Sequence, residues 1–341
     1  MAADNVNKND LRRSERETIE AKERGGAPAE RTPDSPTELS GTSKKETFKR
    51  TFKEFSANDG TDKAAALTYY GIQALFPALI ALVSILGLIG TSATQPLIEN
   101  LGTVAPGAAK DIIANTLNNL SKSQGAAGVA FIIGLLLALN SASSYISAFS
   151  RASNAIYEVE EGRPVWKLKP AQIGTTLVLL LLLLLVLVIV GVSVSGPITK
   201  ELGNLIGAGD SFATIFDIAK IPVILLVVSF MFAFLYWAAP NVKQPGFKFF
   251  SPGGVLALVV WIVASLLFAL YVAKFASFNK TYGPLGGIIV FLVWLWITNV
   301  AVVLGAQFNA ELQRSQQIEG GHEAPLDQPF LEPRDVSKLQ K

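Results

Sequence analysis

The chain of 341 residues contains no cysteine and only one histidine, His322. These absences exclude a disulfide framework and leave no set of thiolates or imidazoles that could bind a metal ion. The formal net charge is only +2, which does not indicate nucleic acid binding. No Walker A motif occurs, so nothing in the sequence points to ATP as an energy source. We therefore predict no catalytic site, no metal and no cofactor, and expect that the protein is not an enzyme.

Charge is also missing from several long stretches, and this absence is the most informative feature of the chain. No charged residue occurs from Ala64 to Ile98, and Leu177–Leu187 is leucine except for two valines. A helix of about 20 apolar residues spans the roughly 30 Å hydrocarbon core of a bilayer. We predict an all-α polytopic membrane protein, a bundle of six transmembrane helices with short amphipathic interfacial helices. The predicted spans are residues 67–90, 126–149, 173–194, 221–239, 255–272 and 287–306.

The charged residues concentrate outside these spans and predict the orientation. Lysine and arginine are frequent before the first span, in the loop 151–170 and between the fourth and fifth spans. The positive-inside rule then places both termini in the cytoplasm. Residues 1–43 and 315–341 are polar and low in aromatic residues, so we expect two disordered cytoplasmic tails around a membrane domain of residues 44–314. The start of the chain also lacks the apolar core of a signal peptide.

Three amphipathic stretches are candidates for interfacial helices. Phe48, Phe52 and Phe55 recur at helical spacing among basic residues, which fits either a helix on the anionic leaflet or a helix packed on protein. Residues 110–120 and 206–218 show related patterns on the opposite side. They suit interfacial or re-entrant helices, or helices that cap the bundle.

Polar side chains inside the apolar spans carry the functional prediction, because each is costly to leave unpaired in lipid. In the second span they recur at steps of three and four from Asn140 to Glu158, which places them on one helical stripe. Such a stripe lines a hydrated cavity or packs helices together, and both interpretations remain open. Pro77 removes a backbone donor, so it marks a candidate hinge or a static kink. The candidate cavity and substrate residues are Tyr69, Gln73, Asn140, Ser144, Ser147, Arg151, Asn154, Arg163, Asn299 and Gln307.

Several short motifs carry a family resemblance over about residues 46–313. They are Ala-Leu-Thr-Tyr-Tyr at 66–70, Leu-Phe-Pro at 75–77, Asn-Ala-Ile-Tyr at 154–157 with Gly-Arg-Pro-Val-Trp at 162–166, and, most specifically, a closing set from Trp261 through Thr-Tyr-Gly at 281–283 and Trp-Leu-Trp at 294–296 to Gly-Ala at 305–306. This set resembles the YihY/virulence factor BrkB family. The resemblance implies a bacterial inner-membrane protein of six helices, and the labels used for that family include virulence factor, transporter and ribonuclease BN.

The ribonuclease label lacks support in the residues. Metal-dependent nucleases need a cluster of carboxylates or histidines, and the membrane body supplies neither. The basic loops also lack interleaved aromatic residues on which bases could stack, so we predict no nucleic acid partner.

Two classes of function remain open. In the first, the protein is a transporter or lipid-handling protein that moves an amphipathic or anionic substrate through a polar cavity. Membrane lipids are then its partners, and Arg151 and Arg163 can pair with a phosphate. In the second, it is a structural or assembly protein of the cell envelope that binds envelope proteins, and the stripe only packs helices.

Overall fold

Helices make up nearly all of the structure, a computed structural model that describes residues 38–89, 124–194, 203–204, 209–274, 284–319 and 331–339. In these residues the regular structure outside helices is one antiparallel bridge between Val242 and Pro333. The prediction of an all-α protein is confirmed. The long helices are α1 (Gly41–Ala57), α2 (Gly60–Ile89), α3 (Gln124–Ile156), α4 (Val165–Val194), α5 (Gly209–Ala238), α6 (Pro252–Lys274) and α7 (Pro284–Glu319).

Five of these helices are long and apolar enough to cross a membrane. The stretches concerned lie in α3 to α7 and overlap the predicted second to sixth spans, with ends that differ by up to about a dozen residues. The predicted first span falls on α2, whose side chains from residue 75 onward lie outside the description. The count of six therefore stays a prediction, while the polytopic character is clear from the other five.

Helices α2 to α7 pack in a closed ring. Neighbours pack in the order α2, α3, α4, α5, α6 and α7, and α7 closes the ring against α2. Helix α7 also contacts α3 across the ring, and α1 lies against α7. Helices α2 and α3, which carry the polar groups, therefore both contact α7.

The buried core lies toward one end of the bundle. There α3, α5 and α7 end and α2, α4 and α6 begin, and we call this end the network end. Leu67, Phe149, Tyr236 and Val303 are buried in one apolar cluster there. Farther from it the described helices expose large apolar side chains, such as Leu181 at 66%. Such a surface suits contact with lipid chains, since hydrocarbon rather than water would cover it.

Two small residues let α6 and α7 approach closely at the network end. A Cβ atom added at Gly253 would clash with the backbone carbonyl oxygen of Gly305 and with the side chain of Asn309. A Cβ at Gly305 would likewise lie 2.5 Å from the Gly253 oxygen and 2.8 Å from the Ala257 Cβ. Glycine is needed at this crossing because the two backbones touch.

Two of the predicted amphipathic stretches lie wholly or partly in the residues that the structure describes. Residues from Gly209 onward form the start of α5 rather than a separate interfacial helix, and Asp217 and Lys220 form an ion pair one turn apart on it. Pro222 lies inside α5 without ending it, so this stretch continues into the apolar part of the helix. Helix α1 both packs on protein and keeps an exposed apolar side: Thr47 and Thr51 are buried, while Phe48 is 51% exposed. The stretch 110–120 lies outside the described residues.

The helices at the two limits of the predicted membrane domain extend a few residues beyond it. Helix α1 begins at Gly41, and α7 continues past residue 314 to Glu319. Residues 331–339, within the range predicted as a disordered tail, contact the network end through several hydrogen bonds. Residues 1–37 lie outside the described part of the chain.

Candidate functional site

Six of the predicted site residues lie on one exposed side of α2 and α3, which we call the polar face. Helices α2 and α3 pack along each other, and the spacing of the α3 members places them on one side of that helix. Tyr69 is 58% exposed, although it belongs to an apolar helix. The polar face consists of Tyr69, Gln73, Asn140, Ser144, Ser147 and Arg151.

Arg151 is the charged member of the polar face and is held by two neighbours. Its Nη1 donates to the Ser147 Oγ at 3.0 Å, and its guanidinium lies 6.0 Å from the centre of the Tyr70 ring. The Tyr69 ring meets Tyr70 edge-on, and the Gln73 Nε2 donates to the Tyr69 hydroxyl at 2.8 Å. Among the described residues Arg151 forms no ion pair. A guanidinium carries five N–H donors, so most remain available on the exposed side.

A buried layer behind the polar face joins α7 to α2 and α3. The Tyr145 hydroxyl donates to the Asn299 Oδ1 at 2.8 Å, and the Asn299 Nδ2 donates to the Thr68 Oγ1 at 3.1 Å. Asn299 is only 2% exposed. Its amide is satisfied by neighbouring helices, which is the arrangement expected of a packing residue rather than of a residue on an open cavity.

Arg163 and Asn154 belong to a different, buried group at the network end. The Arg163 Nε and Nη2 each donate to one carboxylate oxygen of Glu161 at 2.7 Å, and Nη2 also donates to the Ala239 carbonyl at 2.9 Å. The Asn154 Nδ2 donates to Glu161 at 3.0 Å, and the Asn241 backbone N–H donates to the Asn154 Oδ1 at 2.7 Å. The stripe predicted from Asn140 to Glu158 is therefore divided between two sites.

The electrostatics of this group favour a structural role. Burial alone would raise the pKa of Glu161, but hydrogen bonds and charge from Arg163, with a further bond from Asn154, outweigh it and lower the pKa. Arg163 is 6% exposed, and its forked donors are paired with Glu161. It lies apart from Arg151, so the structure does not bring the two predicted phosphate-binding arginines together on one surface.

Residues 331–339, which we call the C-terminal strap, extend this group. The Asn241 side chain donates to the Asp335 carbonyl at 2.8 Å and accepts the Asp335 backbone N–H at 3.0 Å. Lys167 forms an ion pair with Asp335 at 2.6 Å, and hydrogen bonds from Lys167 and Ser337 lower the pKa of Asp335. The strap thus connects the start of α4 to the loop that follows α5.

Gln307 belongs to a third group, which attaches α1 to α7. Its Nε2 donates to the Glu311 Oε1 at 3.2 Å, and Arg50 forms an ion pair with the other oxygen of Glu311 at 3.2 Å. Thr47 and Ser315 share a buried hydrogen bond of 2.6 Å. Gln307 is 1% exposed and is engaged between helices, away from the polar face.

Sequence reasoning missed several partners and placed one residue on the wrong element. Glu158 has a φ of 57° beyond the end of α3, so it is not on the helical stripe, and it pairs with Arg314 instead. Glu161 and Asn241 were missed because their roles depend on contacts between distant loops. A local signal was available for Glu311, which follows Gln307 by four residues on the same helix. Helix α2 continues through Pro77, and the hinge remains a prediction.

Comparison with known proteins identifies the family to which the chain belongs. Residues 51–328 match the family model described as Virulence factor BrkB. The chain belongs to the virulence factor BrkB family. The matched range includes the polar face and the Arg163 group, so both belong to the body that the family shares.

Several curated relatives are named as membrane proteins, and one is named as ribonuclease-like. A ribonuclease-like protein, YfkH, of Bacillus subtilis is 30% identical over 80% of this chain and 96% of its own length. A UPF0761 membrane protein of Chromohalobacter salexigens is 26% identical over 80% of this chain, which spans 65% of that protein. One of Haemophilus influenzae is 25% identical over 79% of this chain and 96% of its own length. No solved structure matches.

The ribonuclease-like name is that of the Bacillus protein. Among the residues that the structure describes, no group of three or more histidine, cysteine, aspartate or glutamate side chains is placed to hold a metal ion.

Proposed function

We propose that this protein handles phospholipids in the bacterial inner membrane, and that a phosphate-bearing head group moves along the polar face while its acyl chains stay in the bilayer. The observation that carries this proposal is Arg151, which is exposed, held by Ser147 and Tyr70, and without an acidic partner among the described residues. Charge-assisted hydrogen bonds from a guanidinium match the geometry of a phosphate.

The rest of the polar face supports the same assignment. Tyr69, Gln73, Ser144 and Ser147 are neutral donors and acceptors that follow the two helices away from Arg151. A polar surface turned toward hydrocarbon would be costly, so a polar ligand or water is needed to cover it. A head group that passes along the helices satisfies these groups in turn.

The orientation belongs to the same proposal. Helix α1, the loop after α3 and the loop after α5 all lie at the network end, and they carry Lys49, Arg163, Lys243 and Lys248. The positive-inside rule places this end in the cytoplasm. Arg151 then lies near the cytoplasmic leaflet, where anionic head groups enter.

The test is transport by purified protein in liposomes that contain fluorescently labelled phospholipids. We expect Arg151→Lys to lose most of the lipid movement, because lysine keeps the charge but lacks the forked donors, and Arg151→Gln to lose all of it. Lys169→Gln is the matched control, since Lys169 is an exposed basic residue at the same end of the bundle that lies on α4. Full transport by a folded Arg151→Gln protein would refute the assignment of Arg151.

A protein that only assembles the envelope gives a different result. The wild-type protein would then move no lipid in liposomes, and cysteine at Ser144 would form cross-links to a neighbouring protein in cells. Transport that depends on Arg151, with Ser144→Cys reactive toward small polar thiol reagents, supports the lipid-handling proposal instead.

A further inference from the structure

The C-terminal strap lies in a groove between the loops that follow α3 and α5, which we call the strap groove. The bridge between Val242 and Pro333 has one backbone hydrogen bond on each side, of 2.8 and 3.0 Å, between the loop after α5 and the strap. The strap therefore pairs with this loop as one strand pairs with another. Pairing of an extended segment with an exposed backbone is a common way for a protein to recognise a peptide.

Arg334 of the strap contacts the end of α5. Its Nη2 donates to the Trp237 carbonyl at 2.9 Å and to the Val242 carbonyl at 3.3 Å, and its guanidinium lies 5.5 Å from the centre of the Trp237 ring. Helix α5 ends at Ala238, so the Trp237 carbonyl is one of the last in the helix, which have no acceptor role within it. An arginine is favoured here because it satisfies such carbonyls and is attracted to the negative end of the helix dipole.

Asp335 is held through both its backbone and its side chain. The buried Asn241 forms the two hydrogen bonds to the Asp335 backbone described above, and Lys167 on α4 pairs with its carboxylate at 2.6 Å. The main-chain bonds would fit many sequences, whereas the contacts of Arg334 and Asp335 select an arginine followed by an aspartate. The strap groove thus combines backbone recognition with selection of two side chains.

Gly162 forms the part of the groove closest to the strap backbone. The Lys338 N–H donates to the Gly162 carbonyl at 2.9 Å. A Cβ atom added at Gly162 would clash with the Asp335 carbonyl oxygen and lie 2.8 Å from the Val336 Cα. Glycine is needed here because any side chain would occupy the space of the strap backbone.

The strap has the properties of a bound ligand more than those of a core element. Leu331 packs against the buried apolar cluster, but Glu332, Arg334, Ser337 and Lys338 are exposed. A segment with few apolar contacts and exposed hydrogen bonds opens locally without unfolding of the whole protein. The match to the family ends at residue 328, so it includes the strap groove and not the strap.

We infer that the strap groove is a peptide-binding site, and that its ligand is the strap, a reversible intramolecular ligand recognised through its backbone and through Arg334 and Asp335. While bound, the strap connects the beginning of α4 with the end of α5. The inference does not rest on the proposed transport function, because the strap groove and the polar face share no residue.

Hydrogen exchange of the full chain in detergent tests whether the strap occupies the groove. The amides of Arg334, Asp335 and Lys338 donate to the groove, so residues 331–339 should exchange slowly in the wild type. Gly162→Ala should speed the exchange of this segment by about tenfold or more, because the added methyl group displaces the strap. The control Gly174→Ala places the same group where no atom lies within 4 Å, and should leave the exchange unchanged.

Binding of a labelled synthetic peptide of residues 331–339 tests recognition. The acceptor is the full-length double variant Arg334→Ala/Asp335→Ala, whose own strap is weakened while its groove is intact. The peptide should bind this variant about tenfold or more tightly than it binds the wild type, in which the tethered strap occupies the groove at high effective concentration. Adding Gly162→Ala to the double variant should abolish binding.

Two altered peptides test which side chains are selected. A peptide with Glu332→Gln should bind the double variant like the native peptide, since the pair of Glu332 with Lys243 is exposed at the surface. A peptide that carries both Arg334→Ala and Asp335→Ala should not bind. Unchanged exchange in α7 shows that each variant is folded, and the double variant should itself exchange faster in residues 331–339, without any substitution in the groove.

Several results would overturn the inference. Slow exchange of the strap in both Gly162→Ala and the double variant would show that these contacts do not hold it. Equal affinity of the peptide for the wild type and the double variant would place the peptide elsewhere on the protein. Failure to bind a double variant whose strap exchanges fast would show that the segment is not a ligand by itself. A wild-type dimer that becomes a monomer in the double variant would show that the strap binds the groove of a second copy instead.

Discussion

Two arginines that look equivalent in the sequence have different surroundings. Arg151 is exposed and stacks on an aromatic ring, whereas Arg163 is buried and pairs with Glu161 through two parallel hydrogen bonds. Both follow the second predicted span, and both are arginines in a basic loop region. Burial separates them, since an uncompensated buried guanidinium is costly and must have a fixed carboxylate partner.

Glu161→Gln should destabilise the protein by about 3 kcal/mol, because breaking a buried ion pair leaves Arg163 without a neutralising partner. The measurement is thermal unfolding of the purified protein in detergent. Glu332→Gln serves as the control: its pair with Lys243 is exposed at the surface, so its unfolding temperature should stay at the wild-type value. Equal unfolding temperatures for both variants would contradict the structural role of the Arg163 group.

The same carboxylate predicts a pH dependence. The pKa of Glu161 is lowered in the folded state, so its contribution to stability is present above the ordinary value of 4.5 and is lost as the pH falls through the folded-state pKa. The unfolding temperature of the wild type should therefore fall between pH 6 and pH 3. In Glu161→Gln this fall should be smaller, and parallel curves for the two proteins would contradict the assignment.

At the scale of elements, the crossing of α6 and α7 is the tightest contact to test. Gly253→Ala should lower the unfolding temperature, since the added methyl group clashes with the backbone of Gly305. Gly174→Ala is a matched control, because Gly174 lies inside α4 with no atom within 4 Å of the added Cβ. The control should be neutral or slightly stabilising, as alanine favours the helix. A Gly253→Ala protein as stable as the control would show that the two helices do not touch there.

The positions of the helices could be predicted from the sequence, but their ends could not. Apolar runs identify the parts of α3 to α7 that cross the bilayer, because chain length and hydrocarbon thickness are directly related. The ends depend on polar contacts instead. Helix α7 continues to Glu319 because Glu311 and Ser315 find Arg50 and Thr47 on α1, a pairing across more than 260 residues that no local pattern reveals.

The candidate site shows the same limit. Spacing placed Asn140, Ser144, Ser147 and Arg151 on one side of a helix, and they do share an exposed side of α3. The spacing gave no information on what each polar residue meets, so Asn299 and Gln307 were grouped with them although both are buried between helices. Side-chain period identifies faces, whereas the neighbour that covers a face is decided by tertiary packing.

At the scale of the whole molecule, three long-range connections gather at one end of the bundle. Helix α1 attaches to the end of α7, the C-terminal strap attaches to the loops after α3 and α5, and the Arg163 group connects α3 with α5. The opposite half of the described helices presents apolar side chains without comparable polar ties. We expect the network end to be the rigid part of the protein, against which lipid-facing helix segments have more freedom to move.

This arrangement makes a prediction about topology that also counts the spans. Helix α1 packs on the network end of α7, so Lys45 on α1 and Glu160 after α3 must lie on the same side of the membrane. We therefore expect α2 to cross the bilayer as well, which would make six spans. The chain has no cysteine of its own, so single cysteines at Lys45, Glu160 and Ser277 report the side of each position directly. In intact cells an impermeant maleimide should label only Ser277→Cys, which lies in the predicted outer loop between the fifth and sixth spans. Lys45→Cys and Glu160→Cys should react only after the membrane is permeabilised. Labelling of Glu160→Cys from outside would show that the orientation is the reverse of the proposed one. Labelling of Lys45→Cys together with Ser277→Cys would show that the number of spans is odd and that α1 does not pack on the end of α7.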